Sequence, residues 1–237
     1  MRSLQLLTPS RPCIFHCPFC IAQGHRHQNQ FVNQYEKNYP LWANNLKTLL
    51  KKKMDLETVV ITGTNEPLQD IACVEKMIAI VREVRPEIQI ELQTRYYAPL
   101  PVMDRCDVVA YSIASYSLLS NISVRGKISR YVILLTDSFS NLSLVKILKQ
   151  LPSSVTQVTL KCLHTSHGAN LRMDRWILDH QLALEERKRL QREVEQYQGP
   201  LSIRFDENCM DAVDRYMVFR EDGNLYADFD STEKVEL

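Results

Sequence analysis

The sequence predicts an α/β fold in which helices cover a parallel sheet. Short apolar segments that look like strands alternate with helical patterns, and most of these segments are strongly apolar. Strands of a parallel sheet are buried on both faces when helices cover them, which favours such segments. The 237 residues are enough to bury a core without disulfides, and no repeat, low-complexity tract or linker divides them. We therefore expect residues 1–237 to form one domain.

The spacing of apolar residues places the elements of the first part of the chain. Apolar runs predict strands at 4–8, 58–62, 88–92, 107–113, 131–136 and 155–163. Apolar residues at helical spacing predict three helices, carrying Trp42, Leu46, Leu49 and Leu50; Ile71, Val74, Ile78 and Val81; and Leu144, Ile147, Leu148 and Leu151. Asp70 is a candidate N-cap of the second helix. The connection at 114–129 has room for barely two helical turns.

The pattern changes after residue 164. A charged helix is predicted at 180–197, in which Glu185 and Arg189 are spaced as an i, i+4 ion pair. A strand follows at 201–205, and the stretch 216–229 predicts a β-hairpin that turns at Asp222–Gly223. We expect a core at about 1–165 and a C-terminal extension of helix, strand and hairpin at about 166–237.

Composition excludes several classes of protein. The formal charge of +1 gives no electrostatic case for binding nucleic acid or an anionic membrane. No apolar run approaches the roughly 20 residues that a membrane-spanning helix needs. Seven cysteines, three of them within eight residues, make a poor disulfide framework. We therefore expect a protein of the reducing cytoplasm.

Three cysteines crowd into the stretch "RPCIFHCPFC" at 11–20. Cys13, Cys17 and Cys20 have the spacing CxxxCxxC, and no fourth cysteine follows nearby. A structural zinc site usually takes four protein ligands. A [4Fe-4S] cluster suits three thiolates better, because each thiolate binds a different iron and the fourth iron stays open for chemistry. Zinc and unligated thiols remain the alternatives.

The cysteine loop resembles the signature of the radical S-adenosylmethionine (radical SAM) superfamily. As in that family, the loop directly follows the first predicted strand, and an aromatic residue, Phe19, precedes the last cysteine. The segment "TGTNEP" at 62–67, after the second predicted strand, resembles the family's Gly–Gly–Glu–Pro type segment. An ordinary turn after a strand would also explain it. The resemblance covers roughly residues 1–165 and implies a partial (β/α)6 barrel, similar to a TIM barrel, with the cluster at its mouth.

The resemblance also implies roles for individual residues. Cys13, Cys17 and Cys20 would ligate the [4Fe-4S] cluster, whose open iron would bind S-adenosylmethionine. The remaining residues that we expect to bind the cofactors are Phe19, Gly63, Thr64, Asn65, Glu66, Gln93, Ser112 and Arg125.

Six of these residues have specific expected tasks. The backbone from Gly63 to Asn65 would meet the amino group of S-adenosylmethionine, and Glu66 would support that loop or contact the ammonium. Ser112 matches a serine that the fourth strand of the family often supplies. Arg125 is the candidate for clamping the carboxylate, with a solvent-exposed loop arginine as the alternative.

Alternation along three strands predicts a polar lumen without help from the family. Neighbouring residues of a strand face opposite sides, so one face of these strands is apolar and the other polar. If the apolar faces pack on helices, the lumen carries Glu91, Gln93, Lys161, Arg204 and Asp206. We expect Lys161, Arg204 and Asp206 to be catalytic, with both cations buried and paired to Glu91 and Asp206. Edge strands with a solvent-exposed face are the alternative.

The expected function is that of a radical SAM enzyme. A reduced cluster would cleave S-adenosylmethionine, and the 5′-deoxyadenosyl radical would abstract hydrogen from a polar small-molecule, nucleotide-like or peptide substrate. The expected electron donor is a reductant such as flavodoxin or ferredoxin. One alternative is an activase that installs a glycyl radical on a partner enzyme. An alternative of another class is a non-catalytic iron–sulfur or zinc module.

The other cysteines and two histidines suggest no second site. Cys73, Cys106, Cys162 and Cys209 are dispersed in the sequence, and we expect no second cluster, although Cys162 and Cys209 could meet in the fold. His164 and His167 form an HxxH pattern that turn chemistry explains better than a metal site.

Overall fold

The computed structural model describes residues 2–9, 12–20, 22, 34–207 and 216–236. Within these residues one sheet organises the chain, in the strand order β10-β9-β8-β1-β2-β3-β4-β5-β6-β7. The strands are β1 (Arg2–Thr8), β2 (Leu56–Gly63), β3 (Gln89–Thr94), β4 (Val108–Ile113), β5 (Ile128–Leu134), β6 (Gln157–Lys161), β7 (Ser202–Asp206), β8 (Tyr216–Phe219), β9 (Leu225–Tyr226) and β10 (Lys234–Val235).

Strands β1 to β7 are parallel and lie in sequence order. This confirms the predicted α/β fold with a parallel sheet. Over the described residues the two ends of the sheet, β7 and β10, do not pair with each other, so the barrel is open. The carboxyl ends of the seven parallel strands therefore share one edge of the sheet, which is where α/β folds usually place their functional loops.

Helices cover the apolar face of the sheet. Their bounds are α1 (Gln34–Lys37), α2 (Tyr39–Lys52), α3 (Ile71–Val84), α4 (Leu144–Leu148), α5 (Leu171–His180) and α6 (Leu184–Glu195). The buried faces of α2 and α3 join strand residues such as Leu4, Ile61 and Ile90 in one hydrophobic cluster. Asp70 caps α3 by accepting a hydrogen bond from Cys73 N at 3.0 Å, as predicted. No helix in the described ranges combines the length and apolar character needed to cross a bilayer.

The charged helix predicted at 180–197 is shorter than expected. Residues 171–180 form α5, and extended backbone separates it from α6. A tertiary contact explains the break between the two helices. Leu182 is fully buried, and its N donates to Leu135 O at 2.9 Å. The expected ion pair of Glu185 with Arg189 is also replaced, since Arg189 lies 3.8 Å from Glu186.

The C-terminal hairpin turns where the sequence predicts. Strands β8 and β9 are antiparallel, and Gly223 at the turn has φ +77°, a left-handed conformation that favours glycine. The structure adds a pairing that the sequence does not predict, because β8 also runs parallel to β1. Trp42 Nε1 on α2 donates to Arg220 O at 3.1 Å and fixes the hairpin beside the first strand. The extension thus contributes strands beyond both β6 and β1.

Candidate functional site

The cysteine loop lies at the carboxyl edge of the sheet. It follows β1, and the described part covers residues 12–20. Cys20 N donates to Cys17 O at 3.1 Å, which closes a turn between two of the three motif cysteines. Cys13, Cys17 and Cys20 are all partly exposed and none forms a disulfide. The three residues are therefore partly open to solvent at the carboxyl edge of the sheet.

The donor set of this loop fits an iron–sulfur cluster. Among the described residues, no three His, Cys, Asp or Glu side chains converge as ligands of one metal ion. Three partly exposed thiols on one short loop are a donor set that suits a cluster in which each thiolate binds a different iron. Cys13, Cys17 and Cys20 are the residues that would hold it.

The "TGTNEP" segment and the cysteine loop form one hydrogen-bonded unit. Asn65 Nδ2 donates to Pro9 O at 2.9 Å, at the start of the loop. Gln69 Nε2 donates to Pro12 O at 2.8 Å, and Gln69 Oε1 accepts from Ile14 N at 3.1 Å. The Gln69 amide therefore bonds the backbone of the residue before Cys13 and of the residue after it. Nothing in the sequence pattern signals this role for Gln69.

Gln69→Ala removes both bonds beside Cys13, and we expect a reconstituted cluster to lose iron to a chelator on the order of tenfold faster. Each hydrogen bond is worth about 1 kcal/mol, and both act on the segment that carries the ligand. The measurement is the rate of iron release under anaerobic conditions. Gln150→Ala, at an exposed position after α4, is the control. Equal rates for wild type and Gln69→Ala would contradict this role.

Position 63 needs a glycine because the end of β1 packs closely against it. A Cβ at this position would lie 2.3 Å from Thr8 Oγ1 and 2.8 Å from Asn65 Oδ1. Real Cβ atoms do not come this close to other atoms, so any side chain here would displace Thr8 and Asn65. The glycine of the motif therefore lets the loop after β2 pack on the end of β1.

Glu66 is buried and saturated with hydrogen bonds. It is 4% exposed and accepts from Thr94 Oγ1 at 2.5 Å, from Leu68 N at 3.1 Å and from Arg95 N at 2.8 Å. Burial raises the pKa of its carboxyl group, although these hydrogen bonds partly offset the shift. Of the two roles expected for Glu66, this geometry favours support of the loop. The residue ties the end of β2 to the end of β3.

Glu66→Gln should lower the free energy of unfolding by about 1–3 kcal/mol, because the amide nitrogen cannot accept the hydrogen bonds that the carboxylate accepts. The measurement is urea denaturation of the cluster-free protein. Glu75→Gln, on the exposed side of α3, is the matched control and should change the stability by less than about 0.5 kcal/mol. A Glu66→Gln protein as stable as the control would show that these bonds contribute little.

Arg95 follows β3 and lies against the cysteine loop. Its Nη1 contacts Cys17 Sγ, and its guanidinium lies 6.0 Å from the ring centre of Phe15 and 5.3 Å from that of Phe19. Phe19 in turn packs on Trp176 of α5, with ring centroids 5.3 Å apart. Phe19, expected to bind the cofactor, is thus placed between Arg95 and α5. No sequence motif marks Arg95 as a residue of this site.

The polar lumen predicted from alternation follows the strand register. Glu91, Gln93, Lys161, Arg204 and Asp206 occupy positions of one face of the sheet, and neighbouring strands align Lys161 with Asp206. Ile90 and Leu92 point to the opposite, helix-covered face and are fully buried. Ser112 lies near the carboxyl end of β4, where its backbone O accepts from Tyr97 OH at 2.5 Å. The roles expected for these residues stay predictions.

The buried ion pair of the lumen differs from the one expected. Glu91 is 8% exposed and pairs with Arg130 at 2.5 Å, not with Lys161 or Arg204. Gln93 Nε2 donates to Glu91 Oε1 at 3.1 Å, so Gln93 belongs to this network. Arg130 was missed because the apolar pattern places the start of the fifth strand at residue 131, whereas β5 begins at Ile128.

The burial expected for Arg204 and the location expected for Arg125 are wrong. The Arg204 side chain is 72% exposed, because β7 is an edge strand, and it lies 3.8 Å from Asp206. It is therefore not a buried cation. Arg125 lies just before β5, at the amino edge of the sheet, where it pairs with Asp104 at 2.9 Å. The cysteine loop is at the carboxyl edge, so Arg125 cannot clamp a ligand there.

The remaining candidates lie near the end of β6. Cys162 is buried on the helix-covered face, and burial raises the pKa of its thiol. Burial lowers the pKa of His164, and the nearby Lys161 lowers it further. His167 is exposed in a left-handed turn with φ 52°. Cys209, which could have met Cys162, lies outside the described residues.

Comparison with solved structures shows two similar structures of SuiB from Streptococcus suis, one of them bound to S-adenosylmethionine. Their TM-scores are 0.58 and 0.57, and each is 12% identical to this chain. Each likeness covers 95% of this chain and 60% of SuiB, so the chain spans about three fifths of that protein. At this identity the likeness shows a shared fold alone.

BtrN in complex with AdoMet and 2-DOIA is a weaker match, with a TM-score of 0.38 and 10% identity over 98% of this chain and 74% of that chain. No protein-family model and no curated protein sequence matches the chain.

Proposed function

We propose that the chain is a radical SAM enzyme that binds a [4Fe-4S] cluster through Cys13, Cys17 and Cys20. The observation that carries the proposal is the joining of the two motifs. Asn65 and Gln69 hold the cysteine loop at the carboxyl edge of the sheet. The same fold occurs in SuiB, which has been solved with S-adenosylmethionine bound. A bare CxxxCxxC loop would not require a second motif packed against it.

The chain's own residues supply placement and shielding. When bound, the cluster would supply the electron that cleaves S-adenosylmethionine into methionine and a 5′-deoxyadenosyl radical. The backbone at Gly63, Thr64 and Asn65 would take the amino group of S-adenosylmethionine, and Glu66 holds that backbone in place. Ser112, near the carboxyl end of β4, would contact the ribose or the carboxylate. Phe19 packs on Trp176 beside the loop, and these rings would shield that side of the site from water.

The substrate that we propose is polar. Glu91, Gln93 and Lys161 share the lumen face of the sheet with Asp206. Together they offer both hydrogen-bond donors and acceptors to a small molecule, a nucleotide-like compound or a peptide. A carbon radical must be kept from water and from other C–H bonds. The lumen would therefore have to be closed around the bound substrate. We further propose a cytoplasmic enzyme that receives electrons from a flavodoxin or ferredoxin.

Anaerobic reconstitution with iron and sulfide tests the proposal. Reduction with dithionite in the presence of S-adenosylmethionine should release methionine and 5′-deoxyadenosine, both quantified by mass spectrometry. A cluster that forms and is reduced but leaves S-adenosylmethionine intact would overturn the enzyme proposal and favour an electron-transfer module.

A further inference from the structure

Arg95 is held in place at the cysteine loop by contacts along its whole length. Its backbone N donates to the buried Glu66 Oε2 at 2.8 Å. Its guanidinium lies near the faces of Phe15 and Phe19 and contacts Cys17 Sγ. A guanidinium stacked on aromatic faces is attracted to their electron-rich surface and keeps its orientation. The side chain is half-buried, so solvent screens its charge only partly.

We propose that the Arg95 guanidinium raises the reduction potential of a cluster bound by Cys17. Reduction transfers one electron from an external donor to the cluster, which becomes one charge more negative. A fixed cation beside a ligand sulfur stabilises the more negative form more strongly than the oxidised form. Net charge around the cluster and hydrogen bonds to its sulfurs are the levers that set such potentials.

Two other charged groups near this edge, among the described residues, face other partners. The Glu66 carboxylate accepts hydrogen bonds from Thr94 and from the backbone of Leu68 and Arg95. Lys161 lies at the end of β6, three strands away from β3 in the sheet, and is aligned with Asp206. Arg95 contacts the sulfur of Cys17 directly, so its effect on the potential should be measurable by substitution.

The inference rests on the cluster of the proposed function, but not on cleavage of S-adenosylmethionine. If a cluster forms and does not cleave S-adenosylmethionine, the proposed function fails and the potential can still be measured. If a cluster forms and its potential is independent of Arg95, the inference alone fails. If no cluster forms on the wild-type protein, both fail.

The experiment compares Arg95→Gln, Arg95→Lys and the wild type by redox titration monitored by electron paramagnetic resonance, without S-adenosylmethionine. Arg95→Gln should lower the equilibrium constant for reduction at least tenfold, which is 59 mV to more negative potential for one electron. Arg95→Lys keeps the charge and should lie closer to the wild type. Arg192→Gln, at an exposed site on α6, controls for the loss of one charge anywhere in the protein.

Three results would overturn the inference. One is a potential of Arg95→Gln equal to that of Arg192→Gln. A second is an Arg95→Gln protein that takes up less than half of the wild-type iron, since Arg95 would then act in cluster assembly. The third is an unchanged potential combined with weaker binding of S-adenosylmethionine, which would assign the guanidinium to the carboxylate of that ligand.

Discussion

Replacing any one of Cys13, Cys17 or Cys20 by alanine is expected to abolish the visible absorption of the reconstituted cluster, or to leave a smaller cluster without activity. In the proposed cluster each thiolate would bind its own iron, so the loss of one thiolate would leave that iron without its protein ligand. Cleavage of S-adenosylmethionine should fall to background in all three variants. Iron content, the absorption spectrum and 5′-deoxyadenosine formation measure these effects.

Cys73→Ala is the control for this experiment. Cys73 is buried in the hydrophobic core on α3, and its loss should leave spectrum and cleavage intact. Zinc bound at one equivalent in anaerobically purified protein, together with no uptake of iron, would contradict the cluster. It would revive the zinc-module alternative.

Arg130→Met should lower the free energy of unfolding by about 3 kcal/mol, because it leaves the buried carboxylate of Glu91 without its cation and with the hydrogen bond from Gln93 alone among the contacts described above. Substrate turnover should fall as well, since the network with Gln93 lines the proposed lumen. Urea denaturation of the cluster-free protein measures the stability directly.

The double variant Glu91→Leu/Arg130→Met provides the matched comparison. Replacing a buried ion pair by apolar residues of similar size is often neutral, so this variant should regain most of the lost stability. A loss below about 1 kcal/mol in Arg130→Met alone would show that the pair is well solvated. The polar-lumen interpretation would then lose its main support.

The motifs and the strand–helix alternation of the core could be predicted from the sequence because they depend on local patterns. The CxxxCxxC spacing, the glycine at 63 and the cap at Asp70 can all be recognised within a few residues. The pairing of β8 with β1 could not be predicted, since it joins residues more than 200 positions apart. Gln69 and Arg95 were missed for the same reason, because their roles consist of contacts across the fold.

The wrong positions have equally physical causes. Arg125 matches the family's arginine only by its place in the chain. In the structure it precedes β5 and pairs with Asp104, so it lies at the amino edge of the sheet. Alternation placed Arg204 on the correct face, yet it cannot indicate that β7 is an edge strand. Face and burial are separate properties. The face on which a side chain lies follows from the alternation of residues along a strand, whereas its burial depends on which strands lie alongside.

The most direct test of the radical SAM proposal is the electron paramagnetic resonance spectrum of the reduced, reconstituted protein before and after addition of S-adenosylmethionine. An open iron that binds the ligand directly should change the g-values of the cluster. Cys17→Ala protein treated in the same way provides the background. A changed spectrum is the result that the account predicts. A normal reduced cluster whose spectrum does not respond to saturating S-adenosylmethionine would contradict it.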